Sequence, residues 1–162
     1  MRKPKIYVET SVWSQALAED APALREATSV FLTAAKDNQL PLFVSDVVFA
    51  EFSKASEELG ARLRGLVREL SPSIISLDDE ANRLAEEYLR FGIVPPSKLD
   101  DARHVAVAVV HELDILISWN YRHLVNMKRK EAFQHLSSIN GYFKSLQIVT
   151  PPEVSYGFQQ EY

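Results

Sequence analysis

Cysteine is absent from the 162 residues, which excludes a disulfide scaffold, a thiolate zinc finger and a cysteine nucleophile, and points to a reducing compartment, the cytoplasm. An excess of positive charge is missing as well: 18 Lys and Arg stand against 22 Asp and Glu, a net charge of −4. No global positive field therefore draws the chain onto nucleic acid or anionic lipid, and any polyanion must be gripped locally. There is no long hydrophobic run. The longest mostly apolar stretch, residues 102–110, contains Arg103 and His104 and is about half the ~20 residues that a membrane span needs. Met1-Arg2-Lys3-Pro4-Lys5 has the charge of a signal n-region, but Glu9 breaks the apolar stretch behind it, so a signal peptide is not expected. With only 5 glycines and no glycine-rich phosphate loop, a nucleotide-driven ATPase is excluded. No internal repeat or Gly/Ser linker divides the chain. What is present, 46% hydrophobic and 25% charged residues, is the composition of one globular domain, long enough to bury roughly two-thirds of its unfolded surface.

Five short β-branched or aromatic runs read as strands: Ile6-Tyr7-Val8, Leu42-Phe43-Val44, Ile74-Ile75, Ile115-Leu116-Ile117 and Ile148-Val149. Between the first two, Ala23, Ala27, Val30, Phe31 and Ala34 recur at three-and-four spacing, predicting a helix from Pro22 to about Asn38 with that face inward. Ser45 is placed to cap a helix carrying Val47, Val48, Ala50, Glu51 and Phe52 and broken near Gly60; Leu63, Leu66, Val67 and Leu70 form the next apolar face. Asp78 or Asp79 caps a helix with Ala81, Leu84, Ala85, Tyr88 and Leu89 inward, stopped by Pro95-Pro96, and a further helix runs from about Leu99 to His111. Short strands alternating with crossover-length helices predict a three-layer α/β fold with a parallel sheet covered on both faces. One domain is expected over residues 1–150, with residues 151–162 as a C-terminal tail.

In a parallel sheet, ligands bind at the carboxyl ends of the strands. The residues there are acidic: Glu9 with Thr10 and Ser11 after the first strand, Asp46 and Glu51 in the helix after the second, Asp100-Asp101 opening the helix before the fourth, and Ser118-Trp119-Asn120 after it. Any one of these acids has a plain alternative as a helix cap. Several converging on one crevice would repel and raise each other's pKa unless a cation neutralised them, and all-oxygen ligands select a hard divalent ion, Mg²⁺ or Mn²⁺.

The strings Ile6-Tyr7-Val8-Glu9-Thr10-Ser11-Val12, Ser45-Asp46-Val47-Val48-Phe49-Ala50-Glu51, Asp100-Asp101-Ala102-Arg103-His104-Val105-Ala106-Val107-Ala108 and Ile117-Ser118-Trp119-Asn120-Tyr121-Arg122-His123-Leu124 together resemble a PIN domain, more narrowly the VapC-type toxins of bacterial toxin–antitoxin pairs. The resemblance implies a PIN-like α/β/α fold with a five-stranded parallel sheet, a Mg²⁺- or Mn²⁺-dependent ribonuclease, a cognate antitoxin, RNA as substrate and a homodimer. It places the family's first three acids, the metal ligands, on Glu9, Glu51 and Asp101, and its fourth catalytic position on Asn120. Two departures follow: Glu9 stands where most PIN domains have aspartate, and the neutral amide of Asn120 leaves a second metal position underfilled.

Thr10 or Ser11, at a helix start, could offer a hydroxyl or N–H to a phosphate, with Ser118 and Asp100 as further supporting residues. Arg122, His123 and Lys128-Arg129-Lys130 follow the fourth strand and are candidate RNA contacts on the crevice rim; Arg62, Arg64 and Arg68 read as solvated surface. Histidine is the rival general base, but no zinc-motif spacing joins His104, His111, His123 and His135. A receiver domain would need an acceptor aspartate after the third strand, where Ser76-Leu77 stands, and a lysine after Ile148-Val149. The remaining alternative is a PIN-fold module that has lost catalysis and works through protein or RNA binding.

Overall fold

The structure, a computed structural model, describes residues 2–154. Five strands, β1 (Ile6–Val8), β2 (Leu42–Ser45), β3 (Ser73–Ile75), β4 (Ile115–Ile117) and β5 (Gln147–Val149), form one sheet in the order β3-β2-β1-β4-β5. Every pairing is parallel. Neighbouring residues of a strand face opposite sides of the sheet, so the complete burial of Ile6, Tyr7 and Val8 means that both faces of β1 are covered. The cover consists of α1 (Thr10–Leu17), α2 (Pro22–Asp37), α3 (Asp46–Phe52), α4 (Glu57–Leu70), α5 (Asp79–Arg90), α6 (Leu99–Val110) and α7 (Met127–Ile139), with a short 3-10 turn at Pro96–Lys98 before α6. The three-layer α/β/α architecture with a five-stranded parallel sheet is the one expected. No helix among the described residues is long and apolar enough to cross a membrane.

Ser45 caps α3 by accepting from the Val47 N–H at 3.2 Å, and Asp78 caps α5 by accepting from Ala81 at 2.8 Å. Three local expectations need correction. The buried face of α2 is Thr28, Phe31, Leu32 and Ala35, while Val30 points outward, 42% exposed. An apolar count overlooks Thr28 because it is polar, yet its hydroxyl donates to the Leu24 carbonyl at 2.6 Å and accepts from the Trp119 indole at 2.8 Å, which allows full burial. The break after α3 lies at residues 53–56, and Gly60 sits inside α4, where an added Cβ would come within 3.2 Å of the Phe52 carbonyl. Finally, α5 ends at Arg90, ahead of the prolines, with Gly92 at φ 71° supplying the left-handed turn.

The apolar stripes of α4 and α5 are largely used inside the fold. Leu63, Val67, Ala81, Leu84, Ala85 and Tyr88 all belong to the core. Tyr88 packs edge-on against Phe133 at 4.9 Å and shares a 2.6 Å hydrogen bond with Ser137, locking α5 to α7. Of the expected tail, residues 151–154 form a helical turn with Val154 buried, and residues 155–162 lie outside the described residues.

Candidate active site

The crevice is built at the carboxyl end of the central strands. Glu9 leaves β1 in extended conformation (φ −74°, ψ 158°) and caps α1. Its Oε2 accepts from the Ser11 N–H at 3.0 Å, from the Ser118 hydroxyl at 2.9 Å and from the Ser11 hydroxyl. Glu9 is thus a helix cap and a buried carboxylate, 4% exposed, at once. Burial pushes its pKa above the usual glutamate range despite the opposing pull of His104 and the serines.

Ser11 and Ser118 also brace the strand ends. The Ser11 hydroxyl accepts from the Trp119 N–H at 2.9 Å, and the Ser118 hydroxyl accepts from the Asn120 N–H at 2.9 Å. Both hydroxyls are thus engaged within the protein. Thr10 is spent in the same way, donating to Glu51 Oε1 at 2.8 Å.

Glu51, in α3, is the most accessible of the three acids, its side chain 25% exposed. Burial works to raise its pKa, but the bond to His104, the His104 charge and the Thr10 hydroxyl outweigh it and hold the carboxyl below the usual range. Asp101, in the first turn of α6, behaves oppositely. It is 9% exposed, and its Oδ2 is buried with no hydrogen-bond partner. Burial raises its pKa, with Glu51 adding to the effect and His104, the Asn120 amide and His123 opposing it.

His104, read from the sequence only as one candidate base among four histidines, is the group on which the three acids act in common. It is fully buried, and Nε2 is bonded to Glu51 Oε1 while Nδ1 lies 2.7 Å from the Tyr7 hydroxyl. Burial alone would lower its pKa. The Glu51 bond and the charges of Glu9, Glu51 and Asp101 raise it instead. The signal for it is in the sequence: His104 follows Asp101 by three residues on one helix, hence on the same face, as the lone polar side chain in the run 104–110.

Asp100 pairs with Lys54 at 3.2 Å and Arg103 at 3.1 Å, which lowers its pKa against the effect of burial, and its charge acts to raise that of Glu51. Asn120 organises the loop after β4, its Oδ1 accepting from the His123 N–H at 3.0 Å. His123 is buried at 7% exposure with Nδ1 unpartnered. Burial lowers its pKa; Asp101 opposes this, and Arg129, Arg122 and Lys98 reinforce it. Those three cations therefore stand near His123, and the Arg129 guanidinium also donates to the Ile93 carbonyl. Arg122 is exposed, and Asn126 caps α7 while holding the Tyr121 and Arg122 carbonyls at 2.8 and 3.0 Å.

Among the described residues, no group of three His, Asp or Glu side chains stands gathered as ligands around one point. The donor chemistry nonetheless suits a hard cation, because Glu9, Glu51, Asp101 and Asn120 offer oxygen and Asp101 Oδ2 is buried without a donor.

No family model matches the sequence, and no curated protein matches it. Among solved structures it is similar to VapC20 from Mycobacterium tuberculosis, a sarcin–ricin loop cleaving toxin, with 14% identity and a TM-score of 0.55 over 73% of this chain and 92% of that one. It is also similar to a chain of VapBC2 from Rickettsia felis, solved bound to a DNA fragment from their promoter, with 12% identity and a TM-score of 0.52 over 89% of this chain and 98% of that one. The sheet of five parallel strands, with its acids at the carboxyl ends, therefore shares the fold of these VapC20 and VapBC2 chains, the fold expected from the sequence.

Proposed function

We propose that the chain is a metal-dependent endoribonuclease that hydrolyses RNA phosphodiester bonds as the toxin of a toxin–antitoxin pair. The observation that carries this reading is the buried, unpartnered Asp101 Oδ2 at the end of the sheet where Glu9 and Glu51 also stand. An unsatisfied buried polar atom costs about 1–3 kcal/mol, more for a charged one, so a fold that keeps it has a use for it. Glu9, Glu51 and Asp101 would hold Mg²⁺ or Mn²⁺, with Asn120 adding a neutral amide. When bound, the ion supplies an acidified water and positive charge for the phosphate.

The chain's own side chains do the rest. Ser11 and Ser118 fix Glu9, Thr10 and His104 fix Glu51, and α6 presents Asp101. Lys98, Arg122 and Arg129 flank His123 on the rim, where successive phosphates of a strand would lie. With −4 overall, binding rests on that local patch and falls with salt. A small antitoxin, a second copy of the chain and a cytoplasmic setting complete the proposal. The other reading, a PIN-fold binding module without catalysis, is favoured by one observation, the engagement of Glu51 by His104.

Incubation of labelled RNA with the purified chain in Mn²⁺, Mg²⁺ or EDTA separates the two. Cleavage in metal that is lost in EDTA and in Asp101→Asn supports the nuclease; tight RNA binding with no cleavage in any metal supports the module.

A further inference from the structure

Tyr7 lies in the middle of β1, fully buried, and a phenylalanine would fill the same space. Its hydroxyl instead joins two buried polar groups, Ser45 Oγ at 2.7 Å and His104 Nδ1 at 2.7 Å. The path continues through His104 Nε2 to Glu51 Oε1, which also accepts from Thr10 at 2.8 Å. Ser45 caps α3 and Glu51 lies within the same helix, so the path leaves α3 at its cap, crosses β1 and α6, and returns to α3.

Every polar atom in the loop can be satisfied. With Nε2–H donating to the Glu51 carboxylate, Nδ1 accepts from Tyr7, whose oxygen accepts from Ser45, whose oxygen accepts from the Val47 N–H at 3.2 Å. With both ring nitrogens protonated, Nδ1–H donates to the Tyr7 oxygen and the Tyr7 hydroxyl donates to Ser45. The loop holds in either charge state. Buried polar chains that are fully satisfied rigidify what they bind, whereas a core of this kind needs no polar group for packing.

We infer that Tyr7 and His104 are positioning residues for Glu51: the fully buried Ser45–Tyr7–His104 loop fixes the one acid that lies nearest solvent in the orientation that the reaction requires. The inference rests on the nuclease reading for its consequence in rate, and on the geometry alone for the placement of Glu51.

The test compares wild type with Tyr7→Phe, His104→Gln, His104→Leu and the double variant Tyr7→Phe/His104→Gln, each shown by circular dichroism to be folded. Readouts are kcat and KM on a short RNA and, in metal-free protein, the ¹³C resonance of the Glu51 carboxyl. Misplacement of a reacting group by about 1 Å costs on the order of 100-fold in rate. Tyr7→Phe, which loosens His104 without removing it, is expected to lower kcat about tenfold with KM unchanged and to shift the Glu51 resonance. His104→Leu, which deletes the donor, should lose about 100-fold. Gln at 104 can still donate to Glu51 but cannot bond Tyr7, so adding Tyr7→Phe to it should change nothing further. A Tyr7→Phe protein with a lowered Tm but wild-type kcat and an unmoved Glu51 resonance overturns the inference, and so do losses that multiply in the double variant. If the wild-type chain cleaves no RNA in any metal, the nuclease reading fails by itself, and the Glu51 resonance in Tyr7→Phe alone decides the positioning role.

Discussion

Asp101 is where burial and chemistry oppose each other most directly. Its pKa is raised, so the native state holds a proton more tightly than the unfolded chain does. Stability then falls as pH rises through the window above the unfolded value of about 4, and the loss persists at neutral pH. Asp101→Asn removes that loss along with the ligand charge. In EDTA the variant is expected to be as stable as wild type or more so, by up to about 1 kcal/mol or roughly 2–4 °C in Tm, with the difference vanishing near pH 3.5. Nuclease activity should disappear. Thermal melts across pH check this, and a variant that melts lower at pH 7 means that Asp101 serves the helix end. Asn120 makes the complementary case. Its Oδ1 holds the His123 N–H, which aspartate would also do, while its amide faces Asp101. Asn120→Asp therefore keeps the turn and sets a second negative charge against Asp101. Without metal it should melt lower. With metal, a gain of about 1–2 kcal/mol at an effective dielectric near 20 should lower the Mn²⁺ concentration for half-maximal cleavage roughly tenfold. An unchanged metal dependence would restrict Asn120 to the loop.

Helix α4 contains two glycines with opposite expectations. Gly65 has helical backbone and nothing within 4 Å of where a Cβ would stand, so Gly65→Ala should add about 1 kcal/mol through helix propensity, readable as a Tm increase of roughly 2–4 °C. Gly60 offers the same propensity, but its Cβ would press on the Phe52 backbone oxygen at 3.2 Å, so Gly60→Ala should gain less than Gly65→Ala or lose stability. That contact is invisible in the sequence, where Gly60 reads as a helix break. The same distinction separates what was legible from what was not. Strand runs, caps and acids were legible because each is set locally: Ile6-Tyr7-Val8 by its β-branched and aromatic residues, Ser45 and Asp78 by position, Glu9 and Asp101 by lying at strand or helix ends. The inward face of α2 was not, because Thr28 is made apolar in effect by partners at Leu24 and Trp119, the latter 91 residues away. The bonds that His104 makes to Tyr7 and Glu51 are not legible for the same reason, although its spacing from Asp101 is. Its role depends on Tyr7, 97 residues distant, and Glu51, 53 residues distant, which only the sheet order brings together.

At the scale of the whole molecule, the two ends of the sheet divide the work. At the carboxyl ends of the strands the raised pKa values of Glu9 and Asp101 cost stability at neutral pH, while the lowered value of Glu51 adds to it. The opposite end is tied by one carboxylate, Asp114, which immediately precedes β4. Its Oδ2 accepts from the Lys5 N–H at 2.7 Å, just before β1, and its Oδ1 pairs with Arg2 at 3.1 Å and Lys144 at 2.9 Å. Its carbonyl accepts from the Gln147 N–H at 3.1 Å, so the starts of three adjacent strands meet at this residue. Burial works to raise the Asp114 pKa, but the Lys5 N–H, Lys144 and Arg2 prevail and lower it. A lowered carboxyl contributes stability that is present above the unfolded pKa of about 4 and is lost as pH falls through the folded value. Exposed ion pairs contribute little, about 0–1 kcal/mol, so most of the effect comes from the charge-assisted bond to the Lys5 N–H. Asp114→Asn, which keeps the shape and a weaker acceptor, is therefore expected to lose about 1–2 kcal/mol at pH 7. The loss should shrink as the wild-type carboxyl protonates, until the two proteins melt together in strong acid. RNA cleavage measured well below either Tm should be unaffected, because among the described residues the partners of Asp114 are Arg2, Lys5, Lys144 and Gln147, all away from the crevice acids. If Asp114→Asn instead abolishes cleavage while its melting temperature is unchanged, the two ends of the sheet are coupled, and the division of labour between them is wrong.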